Sequence, residues 1–124
     1  MHKKNKTIHI AEDDFFLSEL YTIMLKLDGY TVSVSCNGQE AIDYLNNQEV
    51  DLIMLDLFMP VLDGAHVLQW LREEKKSTTP VLVLTSMTDE ETRLDILASG
   101  ANVFLNKPAA VDTILKSINS LLNQ

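Results

Sequence analysis

The chain has 124 residues, the length of one domain, and its 46% hydrophobic and 23% charged content excludes an intrinsically disordered protein. Its net charge of −8 argues against non-specific binding to nucleic acid, which needs Lys and Arg against the phosphates, so we expect no direct nucleic-acid contact. The single cysteine, Cys36, excludes an intrachain disulfide and fits a reducing cytoplasm.

The first residues of the chain are basic. We predict that residues 1–6 form a flexible leader and that one domain occupies 7–124. Glu12, Asp13 and Asp14 interrupt the apolar sequence that follows, so the leader does not have the pattern of a secretory signal. No stretch approaches the roughly 20 apolar residues that span a bilayer. We therefore expect a cytoplasmic protein without a membrane partner.

The first half of the chain alternates predicted strands with predicted helices. A strand at 7–11 precedes a helix whose apolar stripe is Leu17, Leu20, Tyr21, Met24 and Leu27, closed by Gly29. A second strand at 30–34 alternates in polarity and is predicted nearer a sheet edge. Asn37 and Glu40, three residues apart, predict the start of the second helix.

The second half repeats the alternation. The predicted strands at 50–55 and 80–84 are almost continuously apolar, as in parallel strands covered on both faces. A helix capped by Asp63 lies between them, and Thr88 with Glu91 predicts the start of a fourth helix. A last strand at 101–105 precedes a helix at 111–122.

Strict alternation of strands and helices predicts an α/β fold, a parallel sheet with right-handed crossovers and helices on both faces. Ligands of such sheets bind beyond the carboxyl ends of the strands. Polar residues follow four of the predicted strands at that end: Glu12-Asp13-Asp14, Asp56, Thr85-Ser86 and Asn106-Lys107-Pro108.

Neighbouring carboxylates at these ends would repel one another, by about 4 kcal/mol per pair at 4 Å and an effective dielectric of about 20. Lys107 alone cannot balance them, so the site must protonate or hold a cation. Oxygen ligands with room for water suit Mg²⁺, or Mn²⁺. An aspartate beside such a cation can attack a phosphoryl group, while a lysine and a hydroxyl hold the phosphoryl oxygens.

These residues resemble the receiver domain of two-component response regulators, and the chain is similar to stand-alone chemotaxis and sporulation regulators. The resemblance runs from about Ile8 to Leu122. Its motifs are the pair Glu12-Asp13, the segment DLIMLDLFMPVLDG at 51–64, Thr85, and Lys107-Pro108 after ASGA at 98–101. It implies a flavodoxin-like, doubly wound sheet of five parallel strands in the order 2-1-3-4-5, with five helices.

The resemblance also implies residue roles. Asp56 is expected to take a phosphoryl group from a phosphohistidine of a sensor histidine kinase, from a phosphotransfer protein or from a small phosphodonor. Asp13, Asp56 and the Phe58 backbone carbonyl would bind Mg²⁺ directly, and Glu12 through water. Lys107 and Thr85 would hold the phosphoryl group. The switch residues would be Thr85 and Phe104, which change the surface of helix 4, strand 5 and helix 5.

Further expectations concern the loss of phosphate from Asp56 and the partners of the domain. The Lys107-Pro108 peptide is often cis in proteins of this kind. We hypothesise that Phe58, bulky and two residues after Asp56, shields an acyl phosphate from water. The partners would be the kinase or phosphotransfer protein and a downstream effector protein or a C-terminal output domain. The domain would assist its own phosphorylation and slow dephosphorylation without being a turnover enzyme.

Three alternatives remain open at the level of sequence. A phosphatase of the haloacid-dehalogenase type needs a second aspartate two residues after the nucleophile, where this chain has Phe58. A degenerate receiver that binds proteins without taking phosphate would not need all of Asp13, Asp56, Thr85 and Lys107. A flavin carrier of the same fold needs a phosphate-binding first loop, which the acidic residues 12–14 would repel.

Overall fold

In a computed structural model, which describes residues 6–123, five strands and five helices alternate along the chain. The elements are β1 Thr7–Ala11, α1 Phe15–Leu27, β2 Thr31–Ser35, α2 Gly38–Asn47, β3 Leu52–Leu55, α3 Gly64–Gln69, β4 Val81–Thr85, α4 Glu90–Ala98, β5 Val103–Asn106 and α5 Val111–Leu122. A π-helical segment, Trp70–Glu74, continues α3. Most of the predicted leader, residues 1–5, lies outside the described residues; the Lys6 carbonyl accepts a hydrogen bond from Thr31 N–H.

The sheet has the predicted architecture. Its strands are all parallel and lie in the order β2-β1-β3-β4-β5. β3 and β4 are buried along their whole length, which explains their continuous apolar sequence, and β2 is an edge strand as its alternation predicted. The fold class expected from the sequence is therefore confirmed.

Two apolar clusters cover the two faces of the sheet. One joins the sheet to α1 and α5 through residues such as Ile10, Leu25 and Ile118. The other joins the opposite face to α2, α3 and α4 and includes Leu45 and Leu68. Because helices lie on both faces, the carboxyl edge of the sheet stays open to ligands. No helix within residues 6–123 is long and apolar enough to cross a membrane.

Helix starts follow the predicted caps with one correction. The side chains of the predicted caps Asn37 and Asp63 accept hydrogen bonds from backbone N–H groups in the first turns of α2 and α3, and Asp14, for which no cap was predicted, does the same in α1. The prediction that Thr88 starts α4 is wrong. Asp89 is the cap, and its carboxylate accepts the N–H of Thr92 at 3.1 Å, which satisfies a donor left free by the helix start.

The apolar stripe predicted for α1 is only partly core. Tyr21 and Met24 are buried against the sheet, whereas Leu20 and Leu27 are exposed. Helix α1 is apolar around more of its circumference than one sheet face can cover, so part of the stripe faces solvent.

Candidate functional site

The predicted acidic residues meet at the carboxyl edge of the sheet. Glu12 follows β1 and Asp56 follows β3, and these two strands are direct neighbours. Both side chains are buried, while Asp13 is exposed beside them. Carboxylate oxygens of Glu12, Asp13 and Asp56 all lie within 4.8 Å of one another. The three acids that the sequence placed at the ends of two strands therefore form one cluster.

Lys107, which follows β5, reaches this cluster across the end of β4. Its Nζ donates to Glu12 Oε1 at 2.7 Å and to Asp56 Oδ2 at 3.1 Å. One ammonium thus faces three carboxylates. If all are ionised, the site keeps an excess of two negative charges, and carboxylates this close repel by several kcal/mol in total at an effective dielectric of about 20.

The pKa values of Glu12 and Lys107 reflect this balance. Burial raises the pKa of the Glu12 carboxyl, against hydrogen bonds from Lys107 and the Asp14 N–H, and the charge of Asp56 raises it further. Burial by itself lowers the pKa of Lys107, but the hydrogen bond to Glu12 and the charges of Asp56 and Glu12 outweigh burial and raise it. Lys107 is therefore held as an ammonium in the cluster.

Backbone groups fix the orientation of the buried carboxylates. The N–H of Asp14 donates to Glu12 Oε2 at 3.1 Å, and the N–H of Phe58 donates to Asp56 Oδ1 at 3.2 Å. The loop after β3 returns so closely that a Cβ on Gly64 would lie 2.2 Å from the Asp56 carbonyl oxygen. Glycine is needed at position 64 because the start of α3 packs directly on the end of β3.

The predicted switch residues lie on β4 and β5. Thr85 is fully buried, its Oγ1 accepts the N–H of Met87 at 3.3 Å, and its carbonyl accepts the N–H of Lys107 at 2.8 Å. Phe104 is partly buried and packs against the cluster on the α2, α3 and α4 side. The Lys107–Pro108 peptide is cis, as expected. Thr85 is thus tied to the backbone of Lys107.

An open cleft adjoins the acidic cluster between the loops that follow β3 and β4. Its volume is about 530 Å³, and Asp13, Phe58 and Met87 are among its lining residues. The Phe58 side chain is 50% exposed. Asp13, the exposed acid of the cluster, therefore borders this cleft.

The sequence did not predict the contributions of the backbone to the site, because these do not depend on which side chain a residue carries. The N–H groups of Asp14 and Phe58 are available at any residue type, so only the loop conformation shows that they bind carboxylates. Tyr21 was assigned to the apolar stripe of α1. Its side chain also lines the space beneath Glu12 and Asp56.

The donor set fits a hard divalent cation. Three carboxylates from two strand ends converge, Asp13 remains open to solvent, and Lys107 leaves negative charge uncompensated. Mg²⁺ prefers one or two carboxylates and keeps several waters, which matches this half-open arrangement. The side chains that would hold such an ion are Glu12, Asp13 and Asp56.

Comparisons with known proteins agree with the fold and identify the family. The sequence profile of the response regulator receiver domain matches residues 8–119. The probable transcriptional regulator ycf27 of Cyanidium caldarium is 35% identical over 99% of this chain and 50% of its own length. The chain spans about half the length of the curated relatives it matches. The receiver domain of the Francisella response regulator 1452 is 28% identical, with a TM-score of 0.90 over 96% of this chain and 98% of that one.

Proposed function

The chain belongs to the response regulator receiver domain family, and from this we propose that Asp56 is its phosphoacceptor. The observation that carries the proposal is the convergence of Asp56, Glu12 and Lys107 within hydrogen-bond distance at the carboxyl edge of the sheet. A carboxylate oxygen of Asp56 attacks the phosphorus of a phosphohistidine. The new P–O bond forms as the P–N bond breaks, and the leaving imidazole nitrogen keeps the electron pair.

The residues around Asp56 support this transfer by position and charge. The Phe58 N–H orients one carboxylate oxygen, which leaves the other in contact with Lys107. In the proposal the Lys107 ammonium passes from Asp56 to an oxygen of the arriving phosphoryl group. Thr85 then donates its hydroxyl to a second phosphoryl oxygen, having released the N–H of Met87.

A bound Mg²⁺ supplies positive charge that offsets the phosphoryl oxygens and the excess acid. The proposed ligands are the carboxylates of Asp13 and Asp56, the Phe58 backbone carbonyl, and Glu12 through water. Mn²⁺ has the same ligand preferences and is a second candidate. The support is the oxygen cluster described above, with all three acids within 4.8 Å.

In the proposal, phosphorylation of Asp56 then shifts the population of the domain from its inactive to its active conformation. Because Thr85 is bonded to the backbone of Lys107 and pairs in register with Asn106, a move of Thr85 toward the phosphoryl group disturbs β5. Phe104 on β5 turns inward in the proposed active state, and the α4, β5 and α5 surface changes for a downstream partner. That partner is an effector protein or an output domain, and the donor is a sensor kinase or phosphotransfer protein.

Slow loss of phosphate from Asp56 resets the domain. Phe58 stands where a haloacid-dehalogenase phosphatase carries its general acid, so steady turnover of phosphate esters is not part of the proposal. A degenerate, phosphate-independent receiver is the second candidate. The complete cluster of acids and lysine counts against this candidate. Burying charged groups costs desolvation free energy, and a domain that only binds proteins does not need such groups.

The test is intact mass after incubation with acetyl phosphate and Mg²⁺. We expect the wild type to gain one phosphoryl group, and Asp56→Asn to gain none because the nucleophilic carboxylate is missing. Asp43→Asn, an exposed aspartate on α2, is the matched control and should behave as wild type. Omission of Mg²⁺ in the presence of a chelator should abolish the gain. Equal labelling of wild type and Asp56→Asn would refute the assignment.

A further inference from the structure

Helix α4 has few buried side chains to hold it on the sheet. Among its nine residues, all in the described part of the chain, Ile96 alone is buried, and Leu94 is half-exposed. Residues of other elements bond to the turns at its two ends. Because the body of the helix is weakly packed, these bonds determine which end of α4 can move.

The C-terminal end of α4 is closed by its own backbone. The N–H of Gly100 donates to the Leu97 carbonyl at 3.1 Å, and the N–H of Ala101 donates to the Ile96 carbonyl at 3.2 Å. This pair of bonds is a Schellman motif, and Gly100 has the positive φ, +114°, that the motif requires. The Gly100 carbonyl takes no part in the motif and is therefore available to a donor outside the helix.

Arg72, which follows α3, supplies that donor. Its Nη2 and Nε donate to the Gly100 carbonyl at 2.7 and 3.1 Å, and its Nη1 donates to the Ser77 carbonyl at 2.9 Å. Nη2 also donates to Asn102 Oδ1 at 3.2 Å, and the same oxygen accepts the N–H of Val81 at 2.8 Å. A Cβ on Gly100 would lie 2.8 Å from Arg72 Nε, so the two residues are in close contact. One guanidinium thus ties the end of α4 to the start of β4 and to the loop before it.

Arg72 lies in a turn of unusual geometry. Residues Trp70–Glu74 continue α3 as a π-helix, in which the N–H of Lys75 donates to the Trp70 carbonyl, five residues back, at 2.9 Å. Such wide turns are rare and frequently occur at functional sites. This one lies at the amino edge of the sheet, opposite the acid cluster, so the chemistry at Asp56 does not explain it.

The loop that leads into α4 is held by weaker bonds. The side-chain amide of Asn106 on β5 donates to the Thr85 carbonyl at 3.3 Å and to the Met87 carbonyl. The hydroxyl of Thr85 also accepts the N–H of Met87 at 3.3 Å. All these groups are neutral, and Asn106 is exposed to solvent. Hydrogen bonds between neutral groups are roughly half as strong as those of an ion such as the Arg72 guanidinium.

We propose that Arg72 fixes the C-terminal end of α4, whereas Asn106 releases the other end. Arg72 is the anchor of the helix, and Asn106 is the latch on the loop between β4 and α4. When Thr85 turns toward the phosphoryl group, it gives up the N–H of Met87, and the latch alone must hold the loop. The helix then swings about Gly100, because glycine accommodates the change in φ and ψ that a hinge needs.

The trigger of this motion rests on the proposed phosphorylation of Asp56, whereas the unequal attachment of the two ends rests on contacts within the protein itself. The attachment is therefore tested first, by native-state hydrogen exchange without phosphodonor. The measured quantity is the ratio of the protection factor of the amides at 100–101 to that of the amides at 92–93, the two ends of α4. A uniform loss of stability lowers both factors and leaves their ratio unchanged.

Arg72→Met should lower this ratio about tenfold, because methionine keeps an apolar stem and loses every bond to Gly100 and Ser77. Arg93→Met is the matched control. Arg93 lies on α4 itself and bonds Glu90 at 3.1 Å on the surface, so the ratio should stay that of wild type. Arg72→Lys keeps a charge but not the fork that spans both carbonyls, and it should change the ratio in the same direction if the methionine variant does not fold.

Asn106→Ala should raise the ratio about fivefold, because the amides at 92–93 lose protection while the anchored end keeps it. Asn46→Ala, at an exposed asparagine of α2, is the control and should leave the ratio unchanged. An unchanged ratio in folded Arg72→Met, or in Asn106→Ala, would overturn the proposal.

The trigger is tested by the same exchange after incubation with acetyl phosphate and Mg²⁺, with the labelled fraction measured by intact mass. Labelled wild type should show the raised ratio of Asn106→Ala, since both release the same end. Arg72→Met should be labelled like wild type, because Arg72 lies at the opposite edge of the sheet from Asp56, but it should lose protection at both ends. A labelled wild type that opens both ends equally would contradict a fixed end. A wild type that takes no label would refute the proposed function instead, and the first measurement then decides the attachment of α4.

Discussion

At the scale of single residues, Lys107 determines the charge balance at Asp56. Its ammonium bonds Glu12 at 2.7 Å and Asp56 at 3.1 Å, so the shorter of the two contacts is to Glu12 and not to the proposed phosphoacceptor. In the proposed phosphotransfer, Glu12 would therefore keep Lys107 in place when Asp56 takes the phosphoryl group. The long side chain of lysine matters here, because it spans from the end of β5 to acids on β1 and β3.

Phe58 gives a residue-scale prediction about the phosphate lifetime. Its half-exposed ring lines the cleft beside the acid cluster, two residues after the proposed phosphoacceptor Asp56. Phe58→Ala should shorten the lifetime of the acyl phosphate about tenfold, equivalent to about 1.4 kcal/mol in the barrier to hydrolysis. Loss of the mass shift after removal of phosphodonor measures it.

Phe58→Leu is the control for this experiment. Leucine keeps an apolar cover of similar reach, so the lifetime should remain near that of wild type. An unchanged lifetime in Phe58→Ala would show that the ring does not shield the phosphate.

At the scale of elements, the loop between β3 and α3 holds the one strained β-branched residue found in 6–123. Val61 has φ +69°, a region that branched side chains rarely adopt, and its side chain is 77% exposed. Because the Val61 side chain is exposed, burial of apolar surface does not offset this backbone conformation. A residue held in this region costs on the order of 1–3 kcal/mol, which the rest of the loop must offset.

Relief of this strain should stabilise the domain. Asn tolerates positive φ well, so Val61→Asn should raise the free energy of unfolding by about 1 kcal/mol. Urea denaturation at equilibrium measures the change. Val61→Ile keeps the β-branch and should give no gain. A Val61→Asn variant no more stable than Val61→Ile would show that the loop carries no strain at this position.

A second element, the sheet edge formed by β1, β2 and α2, is organised around a buried histidine. The two ring nitrogens of His9 lie 2.7 Å from the hydroxyl oxygens of Ser33 and Ser35. The ring also stacks on Tyr44, with centroids 4.5 Å apart and an angle of 10° between the planes. Since a hydroxyl can donate or accept, both nitrogens of the neutral ring are satisfied. His9 is thus a structural residue.

At the scale of the whole molecule, His9 makes stability depend on pH. Burial lowers the pKa of His9 from 6.5 to about 4. Between these values the unfolded chain binds more protons than the folded chain, so acid favours unfolding. The stabilisation is complete above pH 6.5 and is lost as the pH falls toward 4.

Replacement of His9 should remove this dependence. Between pH 7.5 and 5, the wild type should lose about 2 kcal/mol more of its free energy of unfolding than His9→Gln, whose amide can still bond both serines. Urea denaturation at a series of pH values gives the slope of the free energy of unfolding against pH for each protein. The two slopes can be compared even if the variant differs from the wild type in stability at pH 7.5. Equal slopes would contradict the prediction.

The sequence by itself determined the alternation of strands and helices, the buried centre of the sheet and the residues at its carboxyl edge. These features are local: the apolar runs of β3 and β4 reflect burial on both faces, and the polar residues directly follow each strand. Parallel strands bring such residues to one edge, so the cluster of Glu12, Asp13 and Asp56 was predictable without coordinates.

Only the tertiary structure decided the features that depend on contacts between residues far apart in the sequence. It showed that Lys107 reaches Glu12 across β4, that backbone N–H groups orient both buried acids, and that Asp89, not Thr88, begins α4. It also showed which part of the apolar stripe of α1 the sheet leaves uncovered. Helical periodicity specifies which residues share a face, but the area of that face that is buried depends on how much surface the neighbouring elements can cover.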